Sequence, residues 1–454
     1  MEKRSIYNII GTIALLAAAL FSSSCSPDWT DELEPQPSPG GGGVHVNQIQ
    51  TDRTPAEETR NVLLLYSIGF NSLSSYLADD IKDLASGDLP KPGRTENVVL
   101  VYSHQPQRYG KYDTPTSPVL FRLSKRDTTV MMDTLVVYEE GTVSASKSQL
   151  NNVLTYVKDK FPAKSYGMVF SSHATGYLPA GYYLNPESGS GADLLWKRMR
   201  KDGLTAVPYI EEERDESMPM VKSIGQDQVG IPGEYISYEI ELNDFADAIP
   251  MKLDYILFDA CLMGGIEVAY ELAGKAGMVG FSQTEVLAEG FCYGTLTQRL
   301  FMEDGPDLKG ACEDYFNQYD TQNGVYRSAT ISLIDCDKLE PLAEVCRKLF
   351  DKYRENIQSL NYSKVQIFYR SNRHWFYDLE SILANAGISM EEMNELEAAL
   401  DQCVAYKAHT PRFMDSFDII TFSGFSMYLP SHGGRQLDGF YKTLKWNKAT
   451  GLVN

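Results

Sequence analysis

Short apolar runs alternate with amphipathic stretches from about residue 60 onward. Four runs are almost uninterrupted in apolar residues, which is typical of strands covered on both faces of a sheet; they are 61–68, 97–103, 167–172 and 255–260. Apolar residues recur with helical spacing between these runs, at 72–85, 146–161 and 264–273. A strand–helix alternation of this kind predicts an α/β fold with a mostly parallel sheet and helices on both faces.

Three segments refine this pattern. Residues 119–139 alternate between apolar and polar positions, which predicts a hairpin or an edge pair. Ser146 precedes the second helix as its predicted N-cap, with Gln149 placed to complete a capping box. Residues 178–235 lose periodicity and are rich in Gly, Pro and charge, so we expect a long loop of the kind that is usually functional or flexible.

The remainder of the chain, residues 301–454, is predicted to form an α/β extension packed on a catalytic domain at 59–300. Its expected elements are helices at 308–319, one that ends at about 357, at 362–370 and at 390–406, and strands at 330–335 and 422–429. A further strand, at 278–282, is expected in the catalytic domain.

The first 58 residues are predicted to lie outside the folded part. Lys3 and Arg4 precede an apolar run at 9–21, and small residues then lead to Cys25, which is typical of a lipoprotein signal peptide at 1–25. Simple secretion, with Cys25 discarded, is the alternative. Residues 26–58 are rich in Pro, Gly and acids and predict a flexible tether. We therefore expect an exported protein, lipid-anchored in the cell envelope of a bacterium, in the outer membrane and facing outward.

Charge and cysteine content exclude several classes of function. The chain has 454 residues, 43% of them hydrophobic, and a formal net charge of −20, which argues against a nucleic-acid partner. Its six cysteines after Cys25 show no CxxC spacing, so zinc and dithiol chemistry are not expected, and their pairing stays open. No DxDxDG-type calcium loop is present. We expect no metal or cofactor, while calcium dependence stays open.

Two candidate catalytic residues follow buried strands directly. His173 comes after 167–172, and Cys261 comes after 255–260 and before a predicted helix. The carboxyl ends of strands in open α/β sheets are where ligands bind, and a helix N-terminus stabilises a thiolate. A cysteine beside a histidine is the catalytic pair of a cysteine hydrolase. Taken singly, however, a cysteine after a strand is more often a buried inert thiol, and a histidine is more often a surface residue.

Residues 258–271 (FDACLMGGIEVAYE) carry a more specific signal. This segment resembles the nucleophile motif of the clostripain family of cysteine peptidases, relatives of caspases and gingipains. The segments 61–85, 161–177 and 424–430 also resemble parts of that family, so the resemblance extends over about residues 60–445. It implies a caspase-like fold and a polypeptide substrate, cleaved by what we expect to be a monomeric enzyme.

The resemblance also implies roles for individual residues. Cys261 would be the nucleophile and His173 the general acid and base, with the backbone N–H groups of Cys261 and Ala174 forming the oxyanion hole. The family usually has glycine where this chain has Ala174, so a backbone that needs a positive φ there would weaken the enzyme. The other histidines are expected at the surface; they are His45, His104, His374, His409 and His432.

Substrate preference follows from two acidic residues near Cys261. Asp259 and, by resemblance, Glu289 would bind the Arg or Lys that precedes the scissile bond. A strand-end cap for Asp259 and a solvated loop charge for Glu289 are the alternatives. A basic cluster in the 178–235 loop is a candidate self-cleavage site; it consists of Lys197, Arg198, Arg200 and Lys201. A surface lipoprotein that binds without catalysis, and an acyl transferase with the same residue pair, are the rival functions.

Overall fold

The computed structural model describes residues 59–69, 73–93, 96–105, 107–109, 112–114, 116–183, 200–201, 204–208, 218–219, 221, 227–229, 236–370, 375–430 and 432–454. The predicted signal peptide, the tether and Cys25 lie outside these residues, as do Lys197 and Arg198. Within the described residues, no helix combines the length and the apolar character that crossing a bilayer requires.

Nine of the 19 strands among the described residues belong to one large sheet. In chain order the strands are β1 (Thr59–Ile68), β2 (Asn97–His104), β3 (Gln107–Tyr109), β4 (Tyr112–Thr114), β5 (Val119–Arg126), β6 (Thr129–Val137), β7 (Ala163–Ser171), β8 (Arg200–Lys201), β9 (Leu204–Pro208), β10 (Asp227–Val229), β11 (Ile236–Tyr238), β12 (Leu253–Asp259), β13 (Ala276–Phe281), β14 (Thr330–Asp335), β15 (Tyr377–Asp378), β16 (Val404–His409), β17 (Arg412–Phe413), β18 (Phe417–Asp418) and β19 (Ser426–Met427).

The large sheet has nine strands among the described residues, in the order β16-β14-β13-β12-β7-β1-β2-β5-β6. Its central strands, from β13 to β2, run parallel, and antiparallel strands extend the sheet at both ends. The predicted mostly parallel α/β sheet is therefore confirmed. Because β14 and β16 come from the segment after residue 300, that segment continues the same sheet.

Helices connect the strands and cover the sheet. They are α1 (Ser74–Ser86), α2 (Lys147–Lys160), α3 (Leu242–Ala248), α4 (Ile266–Leu272), α5 (Tyr293–Leu300), α6 (Leu308–Asp320), α7 (Glu340–Lys352), α8 (Arg354–Gln358), α9 (Leu379–Ala386), α10 (Met390–Cys403), α11 (Gly434–Tyr441) and α12 (Lys445–Thr450). Successive residues of the central strands, such as Val62–Tyr66, are all buried. Since neighbouring residues of a strand point to opposite faces, the sheet is covered on both.

Two local signals of the first half of the chain, the hairpin and the N-cap, are confirmed, whereas the Gln149 side chain does not complete the predicted capping box. The predicted hairpin at 119–139 is β5 and β6, which pair antiparallel. Ser146 caps α2, and its Oγ accepts a hydrogen bond from the backbone N–H of Gln149 at 3.2 Å.

Three predicted segments differ in part from the structure. The 178–235 stretch contains strands β8 to β10, which with β11 form a small antiparallel sheet. The predicted helix at 362–370 is a single 3-10 turn at Tyr362–Lys364, because the following backbone is extended and pairs at Ile367 with Tyr377. The predicted helix at 390–406 ends at Cys403, where the alternating sequence of β16 continues as an edge strand of the large sheet.

Candidate active site

His173 and Cys261 lie at the same edge of the large sheet. They follow the neighbouring parallel strands β7 and β12, in which Ser171 is paired with Asp259. Each of the two candidate residues comes two positions after this pair. The strand register therefore places the two residues after adjacent strand ends at the carboxyl edge, where open α/β sheets bind their ligands.

The thiol of Cys261 contacts the backbone of Val286. The N–H of Val286 donates to Sγ at 3.0 Å, and Sγ lies 3.7 Å from the carbonyl oxygen of the same residue. Cys261 is fully buried. A backbone N–H directed at sulfur stabilises the thiolate more than the thiol, because it favours the charged form.

The loop after Cys261 has a strained and well-anchored backbone. Leu262 has a φ of 61°, in the left-handed region that non-glycine residues rarely adopt. Its N–H donates to the carbonyl of Thr284 at 2.9 Å. Helix α4 begins only at Ile266, and it is Val286, on the opposite segment, that supplies a backbone donor to the sulfur. The expected helix N-terminus is thus further along the chain than the sequence suggested.

The loop after His173 packs directly on this backbone. Gly176 has a φ of +64°, and a Cβ placed on it would lie 2.5 Å from the carbonyl oxygen of Leu262. Tyr177 fixes the end of the loop: it is fully buried and donates to the carbonyl of Trp375 at 2.7 Å. His173 itself is buried and lines a cavity of about 60 Å³ together with Glu239.

Ala174 adopts an ordinary backbone conformation. The non-glycine residues of the described chain with positive φ are Asp127, Leu262, Met414 and Asp415, and Ala174 is not among them. An alanine therefore costs no strain at this position.

Asp259 lies beneath the surface rather than at it. Its side chain is fully buried, and Oδ2 accepts hydrogen bonds from the Tyr293 hydroxyl at 2.7 Å and the Ser171 hydroxyl at 2.9 Å. Burial, and then the neighbouring Asp259, raise the pKa of Tyr293 well above its usual range, so the phenol stays protonated and donates. A cationic side chain would reach Asp259 only by displacing or passing this hydroxyl.

Glu289, by contrast, is exposed and lines an open cavity of about 560 Å³. Asp83 and Tyr293 line the same cavity, so the phenol that contacts Asp259 connects the two predicted acidic residues. Cys292 also lies there, and burial raises the pKa of its thiol to about 11. The cavity thus presents two carboxylates and no reactive thiolate at neutral pH.

Described residues of the 178–235 loop reach both sides of the site: Leu178 and Ala180 line the cavity beside His173, and Val221 pairs near Cys261. Val221 forms an antiparallel bridge with Leu287, the residue after Val286. The loop is therefore paired with the segment that contacts the Cys261 thiol. Arg200 and Lys201 form the two-residue strand β8 of the small sheet.

Sequence reasoning missed several contributors to the site. Val286, Tyr293 and the ion pair between Glu285 and Arg370 carried no local signal, because each acts through a contact between distant parts of the chain. His104 was expected at the surface and is instead buried, with Nδ1 2.7 Å from the hydroxyl of Ser144.

The described residues contain no group of three or more His, Cys, Asp or Glu side chains able to hold a metal ion. The six cysteines after Cys25 are all free thiols.

Comparisons with known proteins agree with this geometry. The model of the clostripain family matches residues 65–189 and 211–449. An inactive zymogen C11 protease from Parabacteroides distasonis is 27% identical, with a TM-score of 0.67 over 87% of this chain and 99% of that one. A secreted C11 cysteine protease from Bacteroides thetaiotaomicron, solved with an irreversible peptide inhibitor, is 22% identical, with a TM-score of 0.65 over 86% and 99%.

No protein of curated function matched the chain. The family match nevertheless extends over most of its length and includes both candidate catalytic residues. The chain belongs to the clostripain family and is a cysteine-type peptidase.

Proposed function

We propose that this chain is an endopeptidase that cleaves after Arg or Lys, with Cys261 as nucleophile and His173 as general acid and base. The observation that carries the proposal is the in-register pairing of β7 with β12, which brings these two residues to the same sheet edge. Thiolate and imidazole side by side are what covalent catalysis by cysteine requires.

The reaction follows from these two groups. The Cys261 thiolate attacks the scissile carbonyl, and the C–N bond then breaks as the His173 imidazolium gives its proton to the leaving amine. Neutral His173 next takes a proton from water as the water oxygen attacks the thioester. The C–S bond then breaks, which releases the thiolate and a carboxylic acid that loses its proton to solvent. The backbone N–H groups of Cys261 and Ala174 would hold the oxyanion in both steps. The ordinary φ of Ala174 supports this role, because its N–H is retained without strain.

Specificity would arise from the cavity beside the site. Glu289, exposed at its wall, would form the first charge-assisted contact with the substrate cation. Asp259 would add negative potential from below, through its contact with the Tyr293 phenol. A cation in this cavity therefore faces carboxylates at two depths.

The chain would be made as a zymogen. The fully buried Cys261 and the bridge between Val221 and Leu287 support a state in which the loop, at Val221, lies against the segment that contacts the thiol. A relative of known structure is described as an inactive zymogen. Self-cleavage at the basic cluster that includes Arg200 and Lys201 would match the proposed specificity and release the loop.

The cellular setting is proposed from the first 58 residues alone. A lipid on Cys25 would anchor a monomeric enzyme to the outer membrane of a bacterium, facing outward, with the tether giving it reach toward polypeptide substrates. The proposed mechanism uses no cofactor.

The test is hydrolysis of fluorogenic peptides that end in Arg, Lys or Ala before the reporter. We expect turnover after Arg and Lys, a loss of at least 10³-fold in Cys261→Ala and His173→Ala, and a loss of about 10-fold or more for basic substrates in Glu289→Gln. Equal turnover after Ala would contradict the acidic pocket. A folded chain without turnover, before and after nicking of the loop, would favour the rival of a binding lipoprotein.

A further inference from the structure

We propose that Arg370 is a positioning residue for Cys261, acting through Glu285 to hold the Val286 N–H against the thiol. The inference rests on the proposed role of Cys261 as the nucleophile. It adds a residue from the C-terminal part of the chain, far from both motifs, to the machinery of the reaction.

The contact between Arg370 and Glu285 is bidentate. Nε of Arg370 donates to one carboxylate oxygen at 2.6 Å, and a terminal guanidinium nitrogen donates to the other at 2.7 Å. The side chain of Glu285 is only 3% exposed, and that of Arg370 is 26% exposed. Two parallel hydrogen bonds fix the carboxylate in direction as well as in place, which a single point charge would not do.

Glu285 transmits this restraint to the site because it immediately precedes Val286. The Val286 N–H is 3.0 Å from Sγ of Cys261, so a rotation of the intervening peptide would move the donor off the sulfur. On the other side of Glu285, the carbonyl of Thr284 accepts from the N–H of Leu262, next to the nucleophile. The ion pair therefore lies between two backbone contacts of the same reactive loop.

Loss of the guanidinium would leave a buried carboxylate without its counter-charge. Such a group either takes up a proton or moves toward water, because an uncompensated charge is not tolerated in the interior. Glu285 is tied to the backbone at 284–287, so a movement toward water would carry the Val286 N–H with it. We expect the thiolate of Cys261 to lose a donor while the remainder of the sheet keeps its structure.

Tyr369, the residue before Arg370, also contacts a segment beside the site. The hydroxyl of Tyr369 is hydrogen-bonded to that of Tyr183, the last described residue before the 184–199 stretch of the long loop. Residues 369–370 thus contact both the start of the loop and the segment that faces the thiol.

The experiment measures the ionisation of Cys261 in the full chain. Absorbance of the thiolate near 240 nm is followed against pH, and the curve of the Cys261→Ala chain is subtracted. The variants are Arg370→Ala, Arg370→Lys, Glu285→Gln and the double variant Arg370→Ala/Glu285→Gln. Arg299→Ala is the matched control, because Arg299 forms an equally bidentate pair with Asp314 at 2.8 Å for both bonds. Thermal unfolding of each variant accompanies the titration.

We expect Arg370→Ala to move the thiolate titration to higher pH by about 1 unit, as loss of one donor to a charged group predicts. Arg370→Lys should shift the titration less. The double variant should shift it no more than whichever of Arg370→Ala and Glu285→Gln shifts it further, since each single change already removes the same ion pair. Where turnover is measurable, kcat should fall about 10-fold with little change in KM. Arg299→Ala should leave the titration in place.

An unchanged titration in folded Arg370→Ala or Glu285→Gln would overturn the proposal, as would an equal shift in Arg299→Ala. If Arg370→Ala does not fold, the Arg370→Lys and Glu285→Gln curves decide in the same way. Failure of the peptidase assignment is distinct: it appears as absent Cys261-dependent turnover in the unaltered chain, whereas the titration still reports on the pair.

Discussion

At the scale of single residues, the site is held by close contacts between the loops after β7 and β12. His173 and Cys261, which begin these loops, are 88 positions apart in the sequence. Gly176 and Leu262 are in close contact where these loops cross, and both have a left-handed backbone. Glycine adopts this conformation readily, whereas leucine rarely does. Strained backbone of this kind persists only where its surroundings over-determine it.

Replacing Gly176 with alanine tests that contact. The new Cβ would have both an unfavourable φ and a backbone oxygen 2.5 Å away. We expect a loss of about 3 kcal/mol in the free energy of unfolding and at least 10-fold in activity. Gly274→Ala is the control, because Gly274 has a φ of +79° but open space around it, and should cost about 1 kcal/mol with activity intact. Equal effects of the two variants would mean that the close approach is not required.

The stability of the folded chain should depend on pH through Glu267, which lies in α4, the helix after the nucleophile loop. It is fully buried, and burial raises its pKa to about 7, although the Tyr441 hydroxyl and the Tyr428 N–H donate to it. The folded chain therefore keeps a proton that the unfolded chain releases near its ordinary pKa. The stabilisation is complete below that ordinary pKa of 4.5 and is lost as the pH rises toward 7.

We expect Glu267→Gln to be more stable than the unaltered chain at pH 8, by up to about 3 kcal/mol, and close to it at pH 4.5. Urea unfolding at both pH values, with the difference between the two chains taken at each, gives the answer. A constant difference across this range would show that Glu267 is ionised in the folded chain.

At the scale of elements, the sequence predicted what depends on local periodicity. The buried strands β1, β2, β7 and β12 are continuous apolar runs, and helix α2 has its cap one residue before it. Strand β16 was missed because α10 leads into it without a break or a turn residue.

The site was predictable only in part, for the same physical reason. His173 and Cys261 are marked by the strand ends before them, so their shared edge could be inferred. Val286, whose N–H donates to the thiol, is 25 positions from Cys261, and Tyr293 is 34 positions from Asp259, to which its hydroxyl donates. Nothing in the local sequence signals either contact.

The 178–235 loop predicts activation by cleavage. Replacing Lys197, Arg198, Arg200 and Lys201 with glutamine removes every basic residue of the cluster, so self-cleavage there should stop. We expect activity to stay at least 10-fold below that of the processed chain and to recover when a foreign protease site is inserted and cut. Gel analysis with N-terminal sequencing identifies the cut. Full activity in an uncut chain would remove the zymogen proposal.

At the scale of the molecule, the division between a catalytic domain at 59–300 and an extension at 301–454 stays a prediction that folding experiments can test. Strands β14 and β16 continue the large sheet beyond β13, and Tyr441 donates to the buried Glu267. Gln283, next to the nucleophile segment, donates to the carbonyl of Gly424 at 2.7 Å. Buried polar groups of residues 59–300 therefore have their hydrogen-bond partners in residues 301–454.

We expect residues 59–300 alone to show no cooperative unfolding transition, because β13 would become an exposed edge and Glu267 would lose both of its donors, the Tyr428 N–H and the Tyr441 hydroxyl. Residues 59–454 should unfold cooperatively. Calorimetry on both fragments decides between one folding unit and two. A cooperative transition in the shorter fragment would show that the catalytic part folds independently.

The central claim is that Cys261 is the nucleophile of a peptidase selective for basic residues. The most direct measurement is intact-mass and peptide mapping of the chain, after cleavage of the 178–235 loop and reaction with a peptidyl chloromethyl ketone that ends in lysine and alkylates a thiolate with loss of chloride. We predict one adduct per chain, on Cys261, slowed at least 10-fold in His173→Ala and absent in Cys261→Ala. An adduct on Cys292, or peptide hydrolysis that persists in Cys261→Ala, would contradict the account.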